Sequence, residues 1–478
     1  RALTPLALGA ALLLVPPPSG LAPAAWRYFA LFATVVAALI TEPLPGPVVG
    51  ILGITAATVL GLVAPAPDDA LRWALSGFSH STVWLIFVAF MFGLGYEKTG
   101  LGRRIALGLV RGLGYRTLGL GYAVALADLV LAPGMPSNTG RSAGTIFPVI
   151  RAIPALYGSE PGPSARRIGA YVMWTAFAAT AVTSAMFLTA LAPNAAALAL
   201  VKQATGLDVT WTEWLFGFWP MGVLLLALVP ALVYVLYPPE IRTSREVPAW
   251  AAEELARMGA LGRAERVMAA LVVLAVVLWV VGSNASIALP LLGSQFIDPT
   301  GVVLLAIALM VLTRVIDWDD ILGSKGAWNV LVWFATLVAL ADGLNRVGFV
   351  SWVARGLAPR LLGIPPLLAM ALLVAFFFVV HYMFASLTAH AAAVLPVVLA
   401  TGLAVPGLPV KAFALLLLYS LGLMGVLSPY ATGPAPVYYG SGYVSRRAFW
   451  GLGLAFGAIY LAVLLGVGIP YLTAARGE

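Results

Sequence analysis

The sequence predicts an all-α polytopic membrane protein, with about 11 transmembrane helices and two re-entrant hairpins in an inverted repeat. Three observations favour this class. Hydrophobic residues make up 62% of the 478 residues and charged residues 10%, whereas a soluble domain has about 25% charged residues. The apolar runs lack the alternating polar pattern of a membrane β-barrel. Two segments about half the chain apart also repeat one pattern, which indicates a duplicated unit.

Long apolar runs supply the expected spans. They are Phe29 to Ile40, Val48 to Val63, Val83 to Leu94, Met221 to Leu236, Val267 to Val281, Val302 to Leu312, Leu367 to Val380 and Leu452 to Val467. With their flanks they provide about eleven spans of roughly 20 residues each. The chain should therefore be a multi-pass protein of the plasma (inner) membrane, with the lipid bilayer as its surroundings.

Charge and composition exclude several other classes. The net charge of +8 is spread over short connectors, which predicts cytoplasmic loops and no nucleic-acid partner. The connectors 64–70 and 283–300 contain no Lys or Arg and are expected outside. The chain has no Cys and three His, so neither a thiolate metal site nor another cofactor is expected.

The repeat divides the chain into two halves and a linker. Ala132 to Pro148 reads APGMPSNTGRSAGTIFP and Phe384 to Pro396 reads FASLTAHAAAVLP, with Thr139 and Thr388 249 positions apart. Residues 1–237 form the first half, with a hairpin near 118–152. Residues 267–478 form the second half, with a hairpin near 364–401. The polar stretch 238–266 is a cytoplasmic linker that contains a solvated helix.

Each hairpin is expected to carry a polar tip at membrane depth. The tip residues are Ser137, Asn138 and Thr139 in the first half, and Ser386, Leu387 and Thr388 in the second. Because Pro133 and Pro136 end the incoming helix, the next helix starts at a Ser, Asn or Thr cap. The free N–H groups of such a start favour an anion. The carbonyls of the incoming helices could instead coordinate sodium, and ordinary Ser/Thr packing between helices is the simpler alternative.

Two basic residues follow the tips, since Arg141 and His390 lie two positions after Thr139 and Thr388. An Arg at mid-membrane costs roughly 2.5–3.5 kcal/mol or more. One interpretation has Arg141 grip a carboxylate as a fixed fork, with His390 as a donor or titratable charge. The alternative is a structural pair between Arg141 and Asp128 of the incoming arm. His381 is expected to be a packed, hydrogen-bonded histidine.

A second broken element is expected in each half. The residues concerned are Thr189, Pro193 and Asn194 in the first half, and Thr432, Gly433 and Pro434 in the second. Proline removes N–H donors, and glycine lets the backbone approach a ligand. These residues are therefore predicted to complete a substrate site, although a simple helix kink would explain them as well.

The motifs PSNTGR with FPV after it, TALAPN, SLTAH and SPYATGPAPVYYGSGYV together resemble those of the divalent anion/sodium symporter family. The likeness covers most of the chain and is greatest to the exchanger branch. It implies a homodimer, a scaffold and a mobile transport domain, elevator-like movement and dicarboxylate substrates held at the two tips. Leu387 replaces the Asn of the sodium-coupled members, so sodium remains possible but is not favoured.

These expectations predict a secondary transporter that exchanges C4/C5 dicarboxylates such as malate, succinate or 2-oxoglutarate. A tethered cation at residue 141 would favour exchange, because an empty carrier would have to move its charge across a low-dielectric barrier. A sodium-coupled di- or tricarboxylate symporter is the alternative within the same class. A membrane-embedded hydrolase is more remote, since the sequence has no HExxH motif, and an anion channel would show neither saturation nor trans-stimulation.

Overall fold

The computed structural model describes residues 3–41, 43–282, 299–361 and 363–474, so the connector 283–300 lies almost wholly outside it. This part of the chain folds into helices joined by turns. An isolated bridge between Arg116 and Thr243 is its β-type pairing. The expected all-α class is confirmed.

The first half and the linker contain twelve of the described α-helices. They are α1 (Leu3–Leu14), α2 (Pro23–Thr41), α3 (Gly46–Val59), α4 (Pro67–Leu75), α5 (Ser81–Thr99), α6 (Leu101–Leu113), α7 (Thr117–Leu131), α8 (Phe147–Arg151), α9 (Gly169–Met186), α10 (Ala192–Thr205), α11 (Trp211–Leu236) and α12 (Glu246–Arg257).

The second half contains the helices α13 to α23. They are α13 (Arg263–Gly282), α14 (Pro299–Leu312), α15 (Trp318–Gly323), α16 (Lys325–Arg346), α17 (Phe349–Leu361), α18 (Pro366–Val380), α19 (Leu387–Leu403), α20 (Val410–Leu423), α21 (Ala435–Gly440), α22 (Arg446–Gly466) and α23 (Gly468–Ala474). Within the described ranges, eight helical segments are long and apolar enough to cross a membrane, and five shorter apolar helices accompany them.

The two halves repeat one order of elements. A long apolar helix (α5 or α16) leads into a shorter helix (α6 or α17) and then into a helix–turn–helix hairpin. The hairpins are α7 to α8 and α18 to α19, and each is followed by an interrupted helix, α9 to α10 or α20 to α21. Phe87 of α5 and Phe334 of α16 stand at matching positions, and both are buried. The repeated motifs of the sequence therefore occupy equivalent places in the structure.

Short turns shape the hairpin tips. In the first hairpin, a tight turn at Ala132–Gly134 follows α7, and residues Thr139–Ile146 then form a π-helix before α8. In the second, the turn His381–Met383 follows α18, and α19 begins at Leu387. The wide π-helical turn was not expected from the sequence, and such turns are frequent at functional sites.

The apolar core is divided into two clusters. The larger cluster joins both hairpins to the interrupted helices, and the smaller one joins α2, α3 and α4 to the ends of α16 and α17. In the smaller cluster, the buried Tyr28 hydroxyl donates to the Leu340 carbonyl over 2.7 Å. The helices α2, α3 and α4 therefore belong to a different apolar cluster from the second hairpin, and a boundary between the two clusters runs between them.

The linker helix α12 packs against α6. Val247 and Ala251 are buried in that contact, so α12 is amphipathic and only its outer face is solvated. Arg103 pairs with Glu254 over 2.7 Å, and Arg104 pairs with Glu265 over 2.5 Å. The linker is therefore anchored to α6, the helix that precedes the first hairpin.

Gly77 provides a test of packing between α16 and the turn before α5. A Cβ at Gly77 would lie 1.8 Å from the carbonyl oxygen of Ala335, where the backbone has little freedom to move. We expect Gly77→Ala to destabilise the protein by about 1–3 kcal/mol, as overpacked sites do, and to lower the melting temperature in detergent. Gly93→Ala is the control, because nothing lies within 4 Å of its added Cβ. Equal melting temperatures for the two variants would contradict this packing.

Candidate functional site

The first tip is a capped turn that contacts the second half. Ser137 Oγ accepts from the Gly140 N–H over 3.1 Å, as expected for a cap. Asn138 is buried, and its Nδ2 donates to Thr432 Oγ1 over 2.7 Å. A Cβ added at Gly433 would lie 1.8 Å from Thr139 Oγ1. The first tip therefore lies directly against the second broken segment, and glycine is what allows this approach.

The second tip begins α19. Ser386 is its N-cap, with Oγ accepting from the Ala389 N–H over 3.3 Å. Leu387 is buried and offers no polar group to a ligand. The Thr388 hydroxyl has no hydrogen-bond partner among the described residues, and together with Ser386 it lines a cavity of about 600 Å³.

The first broken segment supplies another part of this cavity wall. Pro193, at the start of α10, lines the cavity beside Ala192. The other two predicted residues make structural contacts. Thr189 Oγ1 donates to the Pro133 carbonyl over 2.7 Å, and Asn194 Nδ2 donates to the Ser184 carbonyl over 2.7 Å. Each tip thus lies beside the broken segment of the opposite half, while Thr189 also ties the first tip region to its own half.

The second broken segment runs between α20 and α21. Pro434 is buried and precedes α21, whereas Gly433 is exposed beside Thr139. Thr432 accepts from Asn138, as described above. Of the predicted residues in this segment, Thr432 and Gly433 contact the first tip.

Three parts of the cavity wall were not anticipated from the sequence. They are Asn329 and Trp333 of α16, and residues 43–47, which comprise the turn before α3 and the first two residues of that helix. The cavity therefore lies at the boundary between the first helices and the second hairpin. A lone Asn among the apolar residues near the start of α16 was the available signal, but only the fold brings Asn329 to the same cavity as the second tip.

The structure corrects the role proposed for Arg141. Its side chain is fully buried, and Nε donates to Asp128 Oδ2 over 3.0 Å. Nη1 donates to the carbonyls of Met135 and Ala190, each over 2.8 Å. Nη2 donates to Ser184 Oγ over 3.0 Å. The guanidinium is thus engaged on every nitrogen and is not presented to an anion, which is the structural pairing left open above.

His390 is also displaced from its expected role. The ring is fully buried, and neither of its nitrogens has a partner among the described residues. It contacts the rings of Phe377, Phe384 and His381, with centroids 4.4, 5.0 and 5.1 Å away. It therefore lies behind the second tip and does not face the cavity. His381, as expected, is packed and hydrogen-bonded, with Nε2 2.8 Å from the Ala431 carbonyl oxygen.

In both halves, a basic side chain of the hairpin bonds a backbone carbonyl of a broken segment. The carbonyl of Ala190 in the first broken segment accepts from Arg141, and the carbonyl of Ala431 in the second accepts from His381. Carbonyls at such breaks could coordinate a cation, but here basic side chains of the hairpins occupy them. Among the residues described, no group of three or more His, Asp or Glu side chains is placed to hold a metal ion.

Two solved structures share the fold of this chain. A crystal structure of the YdaH transporter from Alcanivorax borkumensis matches with a TM-score of 0.60 at 19% identity, over 84% of this chain and 89% of that one. A structure of Neisseria gonorrhoeae MtrF, described among antimetabolite efflux pumps, matches with a TM-score of 0.57 at 12% identity, over 91% and 96%. These two likenesses show that the chain shares its multi-helix fold with known structures.

Sequence comparison gives the family. The model of the sodium:sulfate symporter transmembrane region matches residues 1–474. The L-tartrate/succinate antiporters of Shigella sonnei (strain Ss046) and Escherichia coli (strain K12) are each 46% identical, over 99% of this chain and 97% of theirs. The chain therefore belongs to the divalent anion/sodium symporter family, as its motifs indicated. It is a transporter of the inner membrane and not an enzyme.

Proposed function

We propose that this protein exchanges C4/C5 dicarboxylates, with succinate and tartrate as the first substrates to test. The names of the antiporters that are 46% identical over nearly the full length support this substrate class. The observation that carries the proposal is the arrangement of two capped tips, each beside the broken segment of the opposite half. An acid with two carboxylates matches a site with two such helix starts.

The cavity at the second tip supplies the contacts for one carboxylate. The hydroxyls of Ser386 and Thr388 and the first free N–H groups of α19 would donate to its oxygens. At the first tip, the exposed Thr139 would receive the other carboxylate. An empty carrier would have to take these unsatisfied groups through an apolar barrier, which is costly. Asp128 neutralises Arg141, so the charge of Arg141 no longer explains why exchange would be obligatory. The cost of desolvating the unpaired donors at the two tips explains it instead.

Sodium independence forms part of the proposal. The carbonyls of Met135, Ala190 and Ala431 already accept from tethered basic side chains, and Leu387 brings no ligand oxygen from its side chain. A sodium ion could therefore reach these carbonyls only by displacing the side chains of Arg141 and His381, which are held in place by the fold. Sodium-coupled symport remains the rival within the family and is decided by the ion dependence of transport.

We further propose eleven crossings, an inverted repeat and elevator movement by a homodimer. The eight long segments and the interrupted or short helices are sufficient for these crossings. The cavity lies between α16 and residues 43–47 on one side and the second hairpin on the other. A boundary of this kind is where a transport domain would slide along its scaffold.

Counterflow in proteoliposomes tests the proposal. Vesicles loaded with unlabelled succinate should take up labelled succinate from a sodium-free choline medium, whereas empty vesicles should not. External tartrate should compete with the label, and sulfate should compete weakly. Uptake into empty vesicles driven by a sodium gradient would instead establish symport, and conductance without saturation would establish a channel.

Thr388→Val provides a test of the second tip. Removing the hydroxyl preserves the side-chain shape but deletes a donor to a charged oxygen, worth about 1.5–3 kcal/mol or roughly 10- to 150-fold in affinity. We expect the KM for succinate counterflow to rise accordingly. Thr401→Val on the same helix is the control, because its hydroxyl bonds the Val397 carbonyl away from the cavity. An unchanged KM in Thr388→Val would remove this residue from the site.

A further inference from the structure

A contact between a phenylalanine and a histidine behind the second tip replaces an ion pair of the first half. Phe377 and His390 lie 249 positions after Asp128 and Arg141. In the first half this pair is a buried salt bridge with 3.0 Å between Nε and Oδ2. In the second half the same two positions form a ring contact at 4.4 Å. A permanent cation with its carboxylate is thus replaced by a titratable ring in an apolar setting.

The hydrogen bond of His381 determines its tautomer. Its Nε2 lies 2.8 Å from the Ala431 carbonyl oxygen, and because a carbonyl only accepts, Nε2 must carry the hydrogen. Nδ1 of a neutral His381 is then a lone-pair acceptor, and it is buried without a donor among the described residues. Both nitrogens of the adjacent His390 are likewise unpartnered. Buried polar atoms are rarely left unpaired, so three in one cluster call for a missing partner.

We propose that His381 and His390 form a proton-binding site, in which a ring nitrogen of His390 takes up the proton beside the unpaired Nδ1 of His381. The positive charge would be stabilised by the Phe377 and Phe384 rings, whose centroids lie within the range of cation–π contacts. Among the described residues, His381 is the titratable side chain whose ring packs against His390, with the two ring centroids 5.1 Å apart.

The site is connected to both tips by short paths. The backbone N–H of His390 donates to the backbone carbonyl of Ser386, at the second tip, over 3.0 Å. Ala431, the partner of His381, immediately precedes Thr432, which accepts from Asn138 of the first tip. A dianion held between the tips would favour a proton at the histidines, and its departure would disfavour one. Proton binding is therefore linked to dicarboxylate binding, an inference that depends on the proposed function for its anion.

Histidine-selective 15N NMR tests the linkage directly, because the chain has three histidines. In wild-type protein at constant pH, saturating succinate should move the His390 signals from neutral tautomer shifts to those of a protonated ring. His80, a helix cap before α5, should not respond and serves as the internal reference. His390→Gln and His381→Gln assign the signals. A His390 ring that stays neutral with succinate, or is protonated equally without it, would overturn the proposal.

Counterflow distinguishes this inference from the proposed function. In wild-type vesicles, succinate exchange should fall as the pH is raised equally on both sides, whereas His390→Gln should lose that dependence. His80→Gln should retain it. Wild-type exchange that is indifferent to pH would overturn the proton site while leaving the exchanger intact. The absence of any exchange in wild-type vesicles would refute the proposed function itself.

Discussion

Asp128→Leu is expected to destabilise the protein by about 3–5 kcal/mol, the usual cost of leaving one partner of a buried ion pair alone. The Arg141 guanidinium would remain fully buried, with its charge uncompensated. The hydrogen bonds from Arg141 to the carbonyls of Met135 and Ala190, which link the first tip to the first broken segment, would also be disturbed. Thermal unfolding in detergent and size-exclusion chromatography should show little folded protein.

A double-mutant cycle separates the pair from its surroundings. Asp128→Leu combined with Arg141→Met removes both charges, and apolar replacement of a whole pair is often tolerated. The double variant should therefore be more stable than either single variant, and its loss of stability should be much smaller than the sum of the two single losses. The exposed pair Lys202 and Asp208 is the matched control, where the same exchange should change stability by about 0–1 kcal/mol. Additive losses at residues 128 and 141 would contradict the ion pair.

Gly433→Ala is expected to abolish exchange while the protein stays folded. Its added Cβ would stand 1.8 Å from Thr139 Oγ1, so either the Thr139 hydroxyl would have to turn away or the first tip and the second broken segment would have to separate, and both changes alter the first tip. Both residues are exposed, and the loss should therefore fall on the site more than on the core. Succinate counterflow should fall to the level of protein-free liposomes, with a normal elution volume in detergent.

Gly440→Ala is the control for that change. It lies near the end of α21, and nothing lies within 4 Å of its added Cβ, so alanine should be neutral or slightly stabilising there. If Gly433→Ala exchanged succinate at the wild-type rate, the close approach of the first tip to Gly433 would not be needed for transport.

The sequence was sufficient for the hairpins and their caps because those features depend on local chemistry. In the first hairpin, prolines follow the end of the incoming helix. In the second hairpin, Ser386 caps the outgoing helix at the position that the repeat indicates. The wide helical turn after Asn138 was not predictable, since it has no comparable composition signal. The all-α class and the family were also correctly inferred from composition and motifs.

The partners of the buried basic residues could not be chosen from the sequence. Arg141 had two plausible roles, and the choice depended on whether Asp128 of α7 faced it across the hairpin. His390 was assigned to the cavity because its position in the repeat matches Arg141, but the apolar ring of Phe377 replaces the carboxylate there. Asn329 was missed because it meets the second tip only through the tertiary fold.

Basic side chains held by the hairpins occupy carbonyls at the helix breaks, and we propose that a dicarboxylate therefore binds without sodium. Calorimetric titration of the purified protein with succinate, in sodium chloride and in choline chloride at equal ionic strength, measures this directly. We predict the same Kd in both salts. Binding that appears in sodium chloride and disappears in choline chloride would contradict the account.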